Sequence, residues 1–166
     1  MMSLLITVSI LYAVLAVVTM ALAGLGRLKA FLVTKTCSGL LFIAVGYSAF
    51  IFSGSNVFFG LLPVLIFCLI GDIMLALALG PDGKTRNPHF SLGVAAFLAA
   101  HALLCWQILR YIDFHICPTV LVAALTVIMT IIFTRSDKFD FEGNEILCII
   151  YSFFVGLSCG LGLNMI

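Results

Sequence analysis

Apolar residues fill the chain in six long runs, Leu4–Leu25, Phe31–Phe52, Phe58–Leu79, Phe90–Tyr111, Ile116–Phe133 and Ile146–Leu163, separated by short connections. A helix needs roughly 20 apolar residues to cross about 30 Å of hydrocarbon. The pattern therefore predicts an all-α, polytopic transmembrane helix bundle of about six spans. The connections carry turn residues: Gly24-Leu25-Gly26, Ser53-Gly54-Ser55-Asn56 and Pro81-Asp82-Gly83, with Cys117-Pro118 at a helix start. No linker, repeat or low-complexity tract interrupts the chain, which predicts a single transmembrane domain over residues 1–166. The first run has no Lys or Arg before it and exceeds the usual signal-peptide core of about 7–15 residues, so it reads as a helix of the mature protein.

Composition strengthens this picture. Hydrophobic residues make up 64% of the sequence and charged residues 9%, and the mean hydropathy of +1.31 lies far outside the range of soluble domains. A multi-pass protein of the plasma or inner membrane is expected. The net charge of +1 and the lack of a basic block argue against nucleic acid as a partner. Cys37, Cys68, Cys105, Cys117, Cys148 and Cys159 form no C-x-x-C pair and have no matching histidine spacing. They read as small core residues, implying no disulfide framework, no metal site and no cofactor. Basic residues gather in the odd-numbered loops, with Arg27 and Lys29 in the first, Lys84 and Arg86 in the third, and Arg135 and Lys138 in the fifth. The positive-inside rule then predicts cytoplasmic odd loops, with the N-terminus and C-terminus both outside.

Against this apolar background, Asp72 and His101 stand out in the third and fourth runs. A charge in hydrocarbon costs roughly 2.5–3.5 kcal/mol on insertion scales, so a residue retained there needs a partner, a wet cavity or a chemical task. At a rise of about 1.5 Å per residue, Lys35 lies roughly 9 Å, Asp72 roughly 10–12 Å, His101 roughly 16 Å and Tyr151 roughly 8 Å from the cytoplasmic ends of their helices. Four polar groups from four helices thus fall in one half of the membrane, as a pocket between helices requires. Phe90, Gly93, Phe97 and His101 share one helical stripe, and Lys35, Ser38 and Phe42 another, each pairing a polar head with aromatic surface that suits an amphiphile. Structural readings stand beside these. Lys35 can snorkel to the headgroups, Asp72 can simply pair with Lys35, and His101 can bond a backbone carbonyl. Tyr151 can be a packing aromatic and Gly93 a close-packing residue. His89 and His115 fall in loops and are not candidates.

The strings Leu69-Ile70-Gly71-Asp72-Ile73-Met74-Leu75 and Phe90-x-x-Gly93-x-x-x-Phe97-x-x-x-His101, with Lys35 in Lys35-Thr36-Cys37-Ser38 and Tyr151 in the last run, resemble the signature of the YhhN-like, or lysoplasmalogenase, family of multi-pass membrane proteins. The resemblance covers most of residues 29–155. It implies a membrane enzyme that hydrolyses the vinyl ether bond of lysoplasmalogens, releasing a fatty aldehyde and a glycerophospho-alcohol. It also implies eight helices, with a second polar or acidic motif in the seventh and a tyrosine in the eighth, and a tyrosine three residues after the histidine. Here that position is Leu104, and six spans reach Ile166.

The chemistry suits the residues independently. Protonating the β-carbon of a vinyl ether leaves an oxocarbenium ion that water captures, which calls for an acid, a stabilising negative charge and a base that orients the water. Asp72 is the candidate acid, because a carboxyl in hydrocarbon favours its neutral form, although an adjacent lysine favours the carboxylate. His101 is the candidate base. Lys35, Tyr151, Gly93 and Phe97 are the candidate substrate-binding residues, with Lys35 meeting the phosphate. The expected partner is a lysophospholipid-like membrane lipid, and a homodimer is a candidate assembly. The alternative is a non-catalytic lipid-binding or scaffold protein on the same bundle. A small transporter ranks third, since Pro63 and Pro118 lie near span ends rather than breaking helices at the midplane.

Overall fold

In the computed structural model, which describes residues 2–78, 87–110, 116–135 and 143–163, the chain forms six helices: α1 (Met2–Gly24), α2 (Leu28–Ser53), α3 (Val57–Ala78), α4 (Asn87–Leu109), α5 (Ile116–Thr134) and α6 (Glu145–Leu163). Each of the six apolar runs is one helix, with ends displaced by three residues or fewer. Five are long and apolar enough to cross a membrane. The one not among these five is α5, free of charged residues over its 19 positions, about 28 Å of helix at the standard rise. His89, expected in a loop, lies instead in the first turn of α4, where Pro88 just inside the helix start needs no backbone donor. Pro81-Asp82-Gly83 and His115 lie outside the described residues.

The turn between α2 and α3 follows from one glycine. Gly54 adopts a left-handed conformation at φ 67° and donates its N–H to the carbonyl of Phe50 at 2.8 Å, which ends α2 in the way glycine C-caps do. Tyr47, Phe50, Phe58 and Phe59 pack around this turn. The Phe50 ring meets Phe59 edge-on at 5.0 Å and stacks with Phe58 at 6.0 Å.

The helices group into two compact units, Met1–Gly93 and Val94–Ile166. In the first, α1 packs on α2 and α2 on α3, and in the second α5 packs on α6. Both bury small residues and turn large ones outward. Ala76, Ala78, Ala96, Ala100 and Ala123 are buried, while Ile10, Val17, Trp106, Leu121 and Ile132 are exposed. Lipid tails are as apolar as leucine, so helices gain by close backbone approach rather than by hiding large side chains. Hydroxyls are satisfied within their own helices. Thr19 donates to the carbonyl of Leu15 at 2.8 Å, Ser48 to that of Ala44 at 2.8 Å and Thr130 to that of Thr126 at 3.0 Å, as hydrocarbon requires.

The α5–α6 seam is the closest approach. Ser152, Gly156 and Gly160 recur every four residues on α6 and are all buried. A Cβ at Gly156 would collide with Thr126 Oγ1, and one at Gly160 would lie 2.7 Å from Thr119 Cα. Gly162 has open space around it. Gly160→Ala should therefore destabilise the protein by about 1–3 kcal/mol through overpacking, whereas Gly162→Ala should be neutral or slightly stabilising. Thermal melts of the two variants in detergent check this, and equal melting temperatures would contradict the seam.

Candidate functional site

The candidate residues come together in two clusters, one in each unit. In the first, Lys35 lies two turns into α2 and Asp72 six residues before the end of α3. Packing of α2 against α3 brings Lys35 Nζ to 3.0 Å from Asp72 Oδ1, with the side chains 28% and 30% exposed. Phe31, one turn before Lys35, sets its ring centroid 5.6 Å from the ammonium, close enough for a cation–π attraction. The pair faces two cavities. One, of about 220 Å³, is lined by Thr19 and Met20 of α1 together with Phe31, Lys35, Ser38 and Asp72. The other, of about 80 Å³, is lined by Tyr12, Ser38, Phe42, Leu65, Cys68 and Asp72. Ser38 and Asp72 belong to both. Gly93, at the start of α4, serves close approach within this unit, because a Cβ there would lie 2.7 Å from Leu75 Cδ2 and 3.1 Å from the Leu75 backbone nitrogen.

Helical spacing and packing assemble the second cluster. Phe97 and His101 are one turn apart on α4, and Tyr151 and Ser158 two turns apart on α6. The His101 ring meets Tyr151 edge-on at 5.6 Å between centroids, and Phe97 lies 6.2 Å from Tyr151. His101 Nδ1 lies 3.0 Å from Ser158 Oγ. Ser158 Oγ also lies 2.8 Å from the carbonyl of Val155; with its proton turned to that carbonyl it accepts from Nδ1–H and leaves the lone pair on Nε2, and with its proton turned to His101 the tautomer is reversed. One turn along α4, Cys105 Sγ donates to the carbonyl of Phe154 at 3.8 Å, a second polar link between α4 and α6.

Several residues here are ones that the sequence reading did not single out. Ser158 holds the His101 ring, and its spacing of seven from Tyr151 was the available signal, since seven residues return to the same helical face. Tyr12 and Thr19 of α1 share that spacing and line the two cavities beside Asp72. No Asp, Glu, Lys, Arg or His in α1 drew attention to them.

A family model described as the YhhN family matches residues 59–165, well over half of the chain. The chain belongs to the YhhN family. The match runs from α3 through α6 and so takes in Asp72, Gly93, Phe97, His101, Tyr151 and Ser158, whereas Lys35 precedes it. Comparison with curated proteins and with solved structures returns no match.

Two measurements probe this YhhN chain's clusters. Removing one partner of an ion pair out of water strands the other charge, a loss of about 3–5 kcal/mol for fully buried pairs. Lys35→Met and Asp72→Leu should each lower the melting temperature, and the double variant that combines them should lose less than the sum of the two, giving a coupling of about 1–3 kcal/mol in a double-mutant cycle. For the second cluster, ¹⁵N NMR of labelled histidine, with His101→Gln to assign the signal, should show a single tautomer for His101. Ser158→Ala should convert it to a mixture.

Proposed function

We propose that this YhhN-family protein hydrolyses the vinyl ether bond of lysoplasmalogen-type lipids in the membrane, releasing a fatty aldehyde and a glycerophospho-alcohol. The observation that carries the reading is the Lys35–Asp72 pair, an acid and a phosphate-binding cation 3.0 Å apart, facing cavities within helices long enough to span a bilayer. Family membership supports it, and so does the fit between these side chains and the chemistry of a vinyl ether.

Lys35 is proposed to meet the lipid phosphate, and Asp72 to be the acid that delivers a proton to the β-carbon of the vinyl ether. The C–H bond forms as the double bond's electron pair is withdrawn, and the resulting oxocarbenium ion faces the carboxylate left behind, an electrostatic stabiliser at the point of charge development. Water attacks the cationic carbon and gives up a proton to a base. His101 is proposed for that task, because a neutral imidazole has one nitrogen free to accept a proton. The hemiacetal then collapses to aldehyde and alcohol. Phe97, Tyr151 and Gly93 belong to the proposal as substrate-side residues, and the plasma or inner membrane as its location.

Lipid binding without turnover is the second reading, favoured by Leu104 standing three residues after His101 where the family pattern has a hydroxyl-bearing tyrosine. Aldehyde release from a lysoplasmalogen by the purified full chain separates the two. Turnover should fall at least 100-fold in Asp72→Asn, and by about 10²–10⁴ in His101→Gln if it is the general base. A folded protein that binds lysolipid and releases no aldehyde would instead establish the binding role.

A further inference from the structure

Beside the ion pair, the first unit holds a third and larger cavity. It has a volume of about 460 Å³, runs between α2 and α3, and is lined almost entirely by apolar groups including Phe42, Gly46, Ala49, Phe50, Phe58 and Leu65. Phe42 and Leu65 also line the 80 Å³ cavity beside Asp72, which in turn shares Ser38 and Asp72 with the cavity that Lys35 faces. The three therefore form one row, charged at the Lys35–Asp72 end and apolar toward the Gly54 turn.

We infer that this row is a binding groove for one single-chain lysophospholipid, with the head at Lys35 and Asp72 and the hydrocarbon chain lying along α2 and α3 toward the Gly54 turn. The inference rests on the proposed function and deepens it by stating where the tail goes. Its dimensions fit. From Asp72 to Leu61, both lining residues, is eleven residues of α3, or roughly 16 Å at the helical rise. A methylene takes about as much room as a water in the liquid, about 30 Å³, so the large cavity holds about fifteen of them. That is one lipid chain and too little for two. Gly46 keeps the groove narrow at its centre: its missing side chain lets the Phe58 ring approach to within 3.2 Å of where a Cβ would stand. The charge pattern also sets polarity, because a phosphate is drawn to Lys35 and a hydrocarbon chain is not.

Occupancy can be read without any turnover. The full chain in nanodiscs is exposed to a 1-O-hexadecyl lysophosphatidylethanolamine carrying a diazirine at the chain end, whose saturated ether the proposed chemistry cannot cleave, and in parallel to a diacyl phosphatidylethanolamine with the same label. The expected result is crosslinking at Phe50, Phe58 or Leu61 at least five-fold stronger for the single-chain probe. Ala49→Phe should reduce that labelling at least five-fold, while Leu40→Phe, on an outward-facing residue of the same helix, should leave it unchanged. Equal labelling by the two lipids, or labels confined to α5 and α6, would overturn the groove. Strong groove labelling with no aldehyde from a vinyl ether substrate would leave the groove standing and remove the hydrolase reading. Turnover without groove labelling would do the reverse.

Discussion

Hydrocarbon offers neither a hydrogen-bond donor nor an acceptor, and every feature of this chain answers to that constraint. Backbone polar groups are closed within six helices. Threonine and serine hydroxyls turn back to carbonyls three or four residues earlier on their own helix. The same constraint removes the usual reason for hiding large apolar side chains, so Ile10, Val17 and Leu121 point outward and the interior goes to alanine, glycine and serine. A soluble protein of this composition would turn itself inside out. In a bilayer the arrangement is the low-energy one.

The two polar clusters meet the constraint in different ways. Lys35 and Asp72 carry full charges and depend on each other, so neither can be engaged by a ligand without changing what the other needs. His101 needs no countercharge while neutral; it is held by Ser158, which also meets the carbonyl of Val155.

The elements were legible in the sequence because membrane spans are written in the coarsest signal a chain carries, and no end of the six helices lies more than three residues from the end of its apolar run. Asp72 and His101 were legible for the same reason, as polar residues in an apolar setting. Their immediate partners were legible only in part. Lys35 was conspicuous by its charge, and its pairing with Asp72 was one of two readings left open. Ser158 was hidden because serine is unremarkable in a membrane helix and its role comes from its contact with His101, a matter of geometry. Gly93 read as a packing residue before a ligand-side one, and Leu75 lies against it. His89 was placed in a loop because the apolar run begins only at Phe90, whereas α4 starts at Asn87, with Pro88 at home in its first turn.

The α5–α6 seam has a further consequence. Long side chains at an interface lose rotamers when it closes, about 0.5–2 kcal/mol each, whereas glycine and alanine have none to lose. At the centre of this seam stand Gly156, Gly160 and Ala123, with backbone nearly touching backbone. Closure at these three positions therefore freezes no side-chain motion, and what the seam gains from their close approach is kept in full.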